Sequence, residues 1–578
     1  MNVLLAAVNA KYIHSNPALY CLRAYASEYR ESVNLTEYTI NMEQDDILMD
    51  IFKRKPDFLA FSCYIWNINV ICGLVREVHK ILPDTLLWLG GPEVSYDAPA
   101  RLKLLPELTG IMVGEGEETF RELMAYYIEG KGALGDIRGL AYTDEGKLIQ
   151  TGEREPLDLS LLPFPYEDCS EFENRIIYYE TSRGCPFSCS YCLSSIEKKV
   201  RLRDFELVKK ELSFFLDRKV KQVKFVDRTF NCSRPHTKAI WEFIRDHDNG
   251  ITNFHFEITA DLLSEEELDL LNQLRPGLVQ LEIGVQSSNE RTIGAIRRKM
   301  DLDKLKHVVS RIQEGHNVHQ HLDLIAGLPY EGFASFAHSF DDVYAMKPDQ
   351  LQLGFLKVLK GSYMYESRES NGLVYRDRPP YEVLYTKWIS YGELLELKKV
   401  EEMVEAYYNS GQFSSIIRYL EHFYRSKFNL YLELGNFYEE KKLDKISHSR
   451  MSRYSILLEF VKEKEIGDIE TAVSLLIYDL YARENLKSRP EFAPDTAVYK
   501  DRVREFYHNP DNILCYLEGY QGYDIRQISR MTHMEHFSID IQAAVREGVR
   551  RERDYFILFD YQEREPLHHQ ARTWEIEA

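Results

Sequence analysis

The stretch RIIYYETSRGCPFSCSYC, residues 175–192, joins an apolar run to a loop with three cysteines in eight positions. These cysteines are Cys185, Cys189 and Cys192, spaced C-x3-C-x2-C. A disulfide needs only two thiols, whereas a tetrahedral zinc ion takes four ligands, usually from paired C-x2–4-C units. A zinc site would have to recruit Cys169 or Cys232, and neither of these forms a second close pair.

A [4Fe–4S] cluster bound by three thiolates, with one iron open to a small molecule, is the alternative to zinc. Gly184 before Cys185 and Pro186 after it allow the chain to wrap tightly around such a cluster. Arg183 would offset the negative charge of the thiolates. The loop residues therefore favour an iron–sulfur cluster.

The quoted run is the first of six apolar runs, and each except the last precedes a helical pattern. The runs are RIIYYETSR, QVKFVDRTF, NFHFEITA, LVQLEIGVQS, VHQHLDLIAGLP and LQLGFLKVL. Six parallel strands alternating with helices predict a partial (β/α)6 barrel over residues 175–365. The cysteine loop follows the first strand, at the strand end where barrel active sites lie.

Residues 1–138 also alternate strands and helices, and their strands are nearly continuous apolar runs. The runs are NVLLAAVNA, DFLAFSCYIW, TLLWLGG and GIMVGEGE. This pattern predicts a doubly wound, Rossmann-like α/β sheet that binds its ligand beyond the carboxyl ends of the strands. Residues 139–174 are predicted to form a hairpin followed by a proline-rich linker.

Residues 366–578 change to helical periodicity and are rich in tyrosine, which predicts a mostly α-helical C-terminal domain. The tyrosines of this region either fill its core or line a substrate cage, and their helical spacing favours the core. The tyrosines concerned lie at positions 385, 391, 407, 408, 419 and 424.

Composition limits the partners and the compartment. The 72 basic and 92 acidic residues give a net charge of −20, which disfavours nucleic acid as a general partner. No apolar run is long enough to span a bilayer, and the first residues are predicted to form a strand rather than a signal peptide. Nine scattered cysteines indicate a reducing compartment, and we expect a cytoplasmic protein.

The C-x3-C-x2-C spacing, with Tyr191 before the last cysteine, resembles that of the radical S-adenosylmethionine (SAM) superfamily. The resemblance implies that Cys185, Cys189 and Cys192 hold a [4Fe–4S] cluster. It also implies that the open iron binds SAM and that the cluster cleaves SAM reductively to a 5′-deoxyadenosyl radical. A reductant such as flavodoxin or ferredoxin would supply the electron.

The ends of the later barrel strands carry further similarities to this superfamily. VDRTFN lies where many members have Asp-Asp-x-Phe, although Arg228 replaces the second aspartate. LEIGVQS matches a common family form, GLPYE is similar to a turn that often flanks SAM, and Arg298 in GAIRRKM lies where relatives often have an arginine. In FEITA, the i, i+2 spacing allows Glu257 and Thr259 to face the barrel interior together. The SAM-binding residues implied by the resemblance are Asp227, Glu257, Thr259, Glu282, Gln286, Arg298 and Gly327.

A doubly wound domain before such a barrel resembles the cobalamin-binding subclass of the superfamily. The segments concerned are NAKYIHSNPALYCLR, SCYIWN, GGPEVSYDAP and VGEGEETF. The cobalamin contacts implied are Asn9, His14, Ser62, Gly90, Gly91, Gly114 and Gly116. The Asp-x-His-x-x-Gly motif that supplies an axial histidine in other cobalamin proteins is absent, which leaves the axial role of His14 open.

The resemblance implies a cobalamin-dependent radical SAM enzyme, with methylation of an unactivated carbon as the leading expectation. A rearrangement, cyclisation or redox reaction without net methyl transfer is the first alternative. A non-enzymatic metal- or cobalamin-binding sensor is the second. The sequence does not specify the substrate, which could be a small molecule or a macromolecule. It also does not specify a catalytic side chain.

Overall fold

A seven-stranded sheet forms the first part of the computed structural model, which describes residues 1–577. Its strands are β1 (Val3–Asn9), β2 (Val33–Thr39), β3 (Phe58–Ser62), β4 (Leu86–Gly90), β5 (Gly110–Met112), β6 (Leu140–Asp144) and β7 (Lys147–Gln150). Its helices are α1 (Pro17–Tyr25), α2 (Gln44–Arg54), α3 (Ile68–Ile81), α4 (Pro92–Ser95), α5 (Ala98–Leu104) and α6 (Glu117–Glu129). The strand order is β2-β1-β3-β4-β5-β6-β7, with the first five parallel.

The doubly wound sheet is confirmed, with two differences from the sequence analysis. The predicted hairpin is β6–β7, and it pairs antiparallel with β5, so it extends the first sheet rather than lying outside it. Strand β2 was not predicted, because it is an edge strand whose side chains are mostly half-buried or exposed. Strand β2 lies on one side of β1, and β3, β4 and β5 follow on the other side, so the strand order reverses between β1 and β3. A ligand crevice is expected at such a switch point.

The six predicted barrel strands are present and form one parallel sheet in the order β15-β14-β13-β12-β11-β8. The strands of this region are β8 (Ile177–Tyr179), β9 (Ser182–Arg183), β10 (Arg201–Leu202), β11 (Gln222–Phe225), β12 (Asn253–Ile258), β13 (Val279–Gln286), β14 (His319–Ala326) and β15 (Gln350–Phe355). Its helices are α7 (Phe205–Asp217), α8 (Arg234–Asp246), α9 (Glu265–Leu271), α10 (Glu290–Ala295), α11 (Leu302–Glu314) and α12 (Phe333–Tyr344). The partial (β/α)6 barrel is therefore confirmed.

Alternation along the barrel strands separates an apolar outer face from a polar inner face. Leu281, Ile283 and Val285 of β13 are completely buried against the helices. The intervening Glu282 pairs in register with Glu257 of β12 and with His321 of β14. Because side chains alternate along a strand, these polar groups share the barrel interior.

The C-terminal region is mostly helical, as predicted, but it also contains a three-stranded antiparallel sheet, β18–β19–β20, that was not predicted. Its helices are α13 (Tyr363–Glu366), α14 (Tyr391–Val404), α15 (Ser414–Leu420), α16 (Lys427–Glu440), α17 (Arg450–Glu463), α18 (Ile469–Arg483), α19 (Lys500–His508), α20 (Pro510–Tyr516), α21 (Ile525–Met531) and α22 (Ile541–Glu547). Its strands are β16 (Val374–Tyr375), β17 (Val383–Tyr385), β18 (Thr532–Ile539), β19 (Glu552–Arg564) and β20 (Ala571–Glu577). Tyr407 and Tyr419 are buried in a core that is continuous with that of the barrel.

The C-terminal region covers the open edge of the barrel at β15. A π-helical turn, Glu405–Asn409, follows α14 and brings Asn409 to this edge. The Asn409 side-chain amide accepts from the Leu351 N–H and donates to the Leu351 carbonyl, both at 2.9 Å. This satisfies backbone groups that an edge strand otherwise leaves open. Within residues 1–577, no helix is both long and apolar enough to cross a membrane.

Candidate active site between the barrel and the N-terminal domain

The three cysteines of the loop after β8 surround one cavity of about 200 Å³ at the carboxyl ends of the barrel strands. Cys185 and Cys189 are buried, whereas Cys192 is half-buried. Gly184 has φ +96°, and a Cβ atom there would overlap the backbone of Lys199. The start of the loop therefore needs glycine, in agreement with the tight wrap expected from the sequence.

Two backbone hydrogen bonds hold the centre of the cysteine loop from opposite sides. The Ser190 N–H donates to the Ile296 carbonyl at 2.8 Å, and the Ser190 carbonyl accepts from the Met364 N–H at 2.7 Å. The first bond ties the loop to the segment after β13, and the second ties it to α13. Because backbone bonds leave little freedom, the thiols are held in fixed positions.

Most of the SAM-binding residues expected from the sequence line the same cavity as the thiols. They are Glu257, Thr259, Glu282, Gln286 and Arg298. The register of β13 against β14 shifts between Gly284 and Gln286, and Gln286 has φ +74°. Such a bulge re-aims the end of a strand. The structure thus brings five of the seven expected residues together around the cysteines.

Asp227 and Gly327 do not line this cavity. Asp227 is completely buried and accepts hydrogen bonds from the Thr181 N–H at 3.0 Å and the Thr181 hydroxyl at 2.7 Å. Burial raises the pKa of Asp227 to about 6, although these hydrogen bonds act in the opposite direction. Gly327 has φ +86° and lies against Val383. Both residues shape the strand ends behind the cavity.

Glu282, which lines the cavity, belongs to an ion network whose other members were not predicted from the sequence. Lys224 donates to Glu282 at 2.9 Å, and the ring Nε2 of His255 lies 3.0 Å from the same carboxylate oxygen. Burial alone would raise the pKa of Glu282, but these partners outweigh it and bring the pKa to about 2. Asp323 also lines the cavity, and burial next to Glu282 and Glu257 raises its pKa well above the ordinary value. In the sequence, the i, i+2 spacing of His321 and Asp323 on β14 could have indicated that both side chains face the barrel interior.

A larger cavity of about 500 Å³ lies between the N-terminal sheet and the mouth of the barrel. Gly91, Gly114 and Gly116 line it from the N-terminal side. A smaller cavity of about 120 Å³ beside it is lined by these glycines together with Ser62 and Gly90. A Cβ atom at Gly114 would meet no atom within 4 Å, so this position faces open space. The strand ends therefore form a cradle that can admit a large planar group.

Asn9 and His14 do not line these cavities. The amide of Asn9 donates to Glu37 and to the His14 carbonyl. The ring Nδ1 of His14 lies 2.7 Å from the Tyr178 hydroxyl, across the boundary between the two domains. Burial, followed by nearby cations, lowers the pKa of His14. His14 therefore contacts barrel strand β8, whereas the Asn9 amide bonds within the N-terminal domain.

The residues present fit the two groups that the sequence implies. Three thiol sulfurs are the soft donors that iron–sulfur clusters use, and they surround a space instead of closing on a point. Within residues 1–577, no three His, Cys, Asp or Glu side chains converge closely enough to bind a single metal ion, so the three thiols do not form a compact zinc-like site. The glycine-lined cradle suits the close approach of a corrinoid to the backbone.

Three domain-family models match the chain. They are the B12 binding domain over residues 3–124, the Radical SAM superfamily over residues 179–343, and "Protein of unknown function (DUF4080)" over residues 369–559. The cofactors of the first two families are the ones expected from the sequence: cobalamin, SAM and a [4Fe–4S] cluster.

Individual relatives cover parts of the chain. A 2-(S-pantetheinyl)-carbapenam-3-carboxylate methyltransferase of Streptantibioticus cattleyicolor is 27% identical over 49% of this chain and 44% of its own length. An anaerobic magnesium-protoporphyrin IX monomethyl ester cyclase of Rubrivivax gelatinosus is 23% identical over 56% of this chain and 60% of its own length. The chain thus spans about half the length of these relatives.

The fold is shared with the cobalamin-dependent S-adenosylmethionine radical enzyme OxsB, solved with aqua-cobalamin bound. The TM-score is 0.58 at 15% sequence identity, over 83% of this chain and 80% of that one. The matched families show a B12-binding domain followed by a radical SAM domain and a DUF4080 domain, and the similarity to OxsB shows a shared fold.

Proposed function

We propose that the protein is a cobalamin-dependent radical SAM enzyme that methylates an unactivated carbon. The observation that carries the proposal is the junction of the two cavities. Ser194 and Arg228 line both the cavity of the three thiols and the large cavity between the domains. A substrate at this junction would face both cofactors at once.

When bound, the cluster and SAM supply a carbon-centred radical, and cobalamin supplies a transferable methyl group. The chain's own residues hold these groups in line and exclude water. Cys185, Cys189 and Cys192 would ligate three irons, leaving the fourth for SAM. The Thr229 hydroxyl lies 3.5 Å from the Cys185 sulfur, at the edge of the proposed cluster site.

We assign the SAM pocket to the five cavity-lining residues named above, together with Asp323. Asp227 and Gly327 would not contact SAM directly. They would support the pocket by stabilising the ends of the strands that form it. For cobalamin, Gly90, Gly91, Gly114, Gly116 and Ser62 would form the contact surface. His14 would help to position the domain through Tyr178, Asn9 would support the His14 loop, and we assign no axial ligand.

The test is anaerobic reconstitution with iron, sulfide and cobalamin, followed by incubation with SAM and a strong reductant. Metabolite extracts from cells that lack the protein supply candidate substrates. Methylation predicts that both 5′-deoxyadenosine and S-adenosylhomocysteine form with the true substrate. Formation of 5′-deoxyadenosine alone would exclude net methyl transfer.

The second candidate is a cobalamin-dependent radical reaction without net methylation, such as a ring closure. The similarity to the magnesium-protoporphyrin IX monomethyl ester cyclase favours it. Formation of 5′-deoxyadenosine without S-adenosylhomocysteine would distinguish this reaction from methylation. A sensor without catalytic activity is the third candidate, and a protein with one zinc and no iron or labile sulfide would favour that role.

The proposed electron donor is a small reductant of the flavodoxin or ferredoxin kind, and the proposed compartment is the cytoplasm. All nine cysteines are unpaired in the described residues, which suits a reducing compartment. Reduction of the cluster by purified flavodoxin, followed by electron paramagnetic resonance, tests the donor. Failure of both flavodoxin and ferredoxin to reduce the cluster would contradict this choice.

A further inference from the structure

Arg228 stands out among the cations that line the two cavities. It follows β11, at the position where many relatives have a second aspartate, and it lines both cavities. Its side chain is exposed, and within residues 1–577 the guanidinium makes no hydrogen bond and has no carboxylate within salt-bridge distance. Glu257, which lines the cavity of the thiols with it, is near enough to feel its charge. An arginine has five donors, so this side chain keeps its full binding capacity.

The other cavity-lining arginines are committed to partners. Arg183 contacts Glu117 at 2.9 Å and Glu180 at 2.7 Å. Arg203 pairs with Glu211 at 2.5 Å. Arg298 donates to the Gly284 carbonyl at 2.6 Å. In the described part of the chain, Arg228 therefore differs from these three arginines because its guanidinium makes no hydrogen bond at all, whereas Arg298 lacks a carboxylate partner but bonds to the Gly284 carbonyl.

The backbone at Arg228 is held firmly although its side chain is unpaired. The preceding Asp227 is anchored to Thr181, and the Thr229 hydroxyl donates to the Arg228 carbonyl at 2.8 Å. The same hydroxyl contacts the Cys185 sulfur. A fixed backbone with an unpaired guanidinium over a cavity is the arrangement of a preorganised binding group.

We propose that Arg228 binds an oxyanion, the carboxylate or phosphate of the substrate, at the junction of the two cavities. The guanidinium fork suits either group, because both accept two parallel hydrogen bonds. This inference rests on the proposed function, since it places the substrate between the two cofactors. It narrows the substrate class to molecules that carry an anionic group near the carbon that reacts.

Two anions other than a substrate could bind this arginine: the phosphate of the cobalamin nucleotide tail and the carboxylate of SAM. The lining of the cavities bears differently on these two anions. The smaller cavity, in the N-terminal sheet, would admit part of cobalamin such as its nucleotide tail, and Arg228 does not line that cavity. The carboxylate of SAM belongs to the cavity of the thiols, which Arg228 does line. The test therefore has to distinguish a substrate site from a site for the SAM carboxylate.

The probe is inorganic phosphate, observed by phosphorus NMR line broadening on protein loaded with oxidised cluster and cobalamin. The variants are Arg228→Gln, Arg228→Lys and the control Arg218→Gln, whose arginine is exposed over Phe214 and lies outside the cavities. We expect phosphate binding to weaken about 10- to 100-fold in Arg228→Gln, as for the loss of a charge-assisted hydrogen bond. The phosphate affinity of Arg228→Lys should lie between those of the wild type and Arg228→Gln. The phosphate affinity of Arg218→Gln should equal that of the wild type.

A second arm repeats the titration with saturating SAM. Phosphate binding that persists supports a substrate site, whereas competitive displacement by SAM would assign Arg228 to the SAM carboxylate and overturn the proposal. Absence of phosphate binding in the wild type, or equal binding in Arg228→Gln, would also overturn it. Phosphate binding through Arg228 in a protein that forms no 5′-deoxyadenosine would instead contradict the proposed function alone.

Discussion

The guanidinium of Arg298 lies 3.8 Å from the sulfur of Cys189. The same group donates to the Gly284 carbonyl at the end of β13. Burial raises the pKa of the Cys189 thiol, and the charge of Arg298 acts in the opposite direction. The contact therefore connects the wall of the SAM pocket to the cysteine loop and favours the thiolate that a cluster needs.

Replacing Cys185, Cys189 or Cys192 by alanine should remove the cluster. With two thiolates left, the site lacks a ligand for one iron, and we expect bound iron and SAM cleavage to fall at least about tenfold. Iron and labile-sulfide assays, together with 5′-deoxyadenosine formation, measure the effect. The control is Cys515→Ala, because Cys515 is exposed in the C-terminal region. SAM cleavage at the wild-type rate in any of the three variants would contradict the cluster assignment.

Gly116→Phe should block cobalamin binding without removing the cluster. Gly116 lines both cavities on the N-terminal side, its φ of −93° is open to other residues, and an added Cβ would lie 3.2 Å from the Leu22 side chain, which must shift slightly. A phenyl group there would fill the cradle, so we expect bound cobalamin to fall at least about tenfold while iron content stays at the wild-type level. Gly392→Ala, at a position with no close neighbours in α14, is the control. Full cobalamin loading of Gly116→Phe would show that the cofactor binds elsewhere.

Glu331 makes the stability depend on pH. It is completely buried, and burial raises its pKa to about 7, although hydrogen bonds from Ser287 and Ser339 lower it. The folded state therefore holds this proton more tightly than the unfolded state, whose pKa is about 4.3. The contribution to stability is full below the unfolded value and is lost as pH rises toward about 7.

The variant Glu331→Gln does not titrate, so its stability relative to the wild type should rise by up to about 2 kcal/mol between pH 5.5 and 8. Thermal unfolding of both proteins across this range measures the difference. The amide keeps an oxygen that can accept from Ser287 and Ser339, which makes it the matched replacement. Parallel pH profiles for the two proteins would contradict the assignment.

Asn409→Leu should loosen the edge of the barrel. The substitution leaves the Leu351 N–H and carbonyl without their partner, at a cost of roughly 2–4 kcal/mol if both stay buried. Faster hydrogen exchange at Leu351 and its neighbours on β15 is the expected readout. Asn429→Leu, at an exposed position of α16, serves as control. Unchanged exchange along β15 would mean that the C-terminal region does not stabilise the barrel edge.

Local patterns in the sequence predicted the barrel, the N-terminal sheet and the cysteine loop, because continuous apolar strands and clustered thiols are visible in one dimension. Strand β2 and the β18–β19–β20 sheet escaped prediction, since the former is a polar edge strand and the latter lies in a region of helical periodicity. His14 has the residue type of a cobalt ligand, but only the structure shows its contact with Tyr178. The unpaired state of Arg228 likewise depends on distances that spacing does not encode.

Transfer of an isotopically labelled methyl group from SAM distinguishes methylation from the other radical reactions. The reconstituted protein is incubated with labelled SAM, a reductant and metabolite extract from cells lacking the protein. We predict a labelled product with the methyl group on carbon, together with both 5′-deoxyadenosine and S-adenosylhomocysteine. Formation of 5′-deoxyadenosine with a new product that carries no labelled methyl group would contradict methylation.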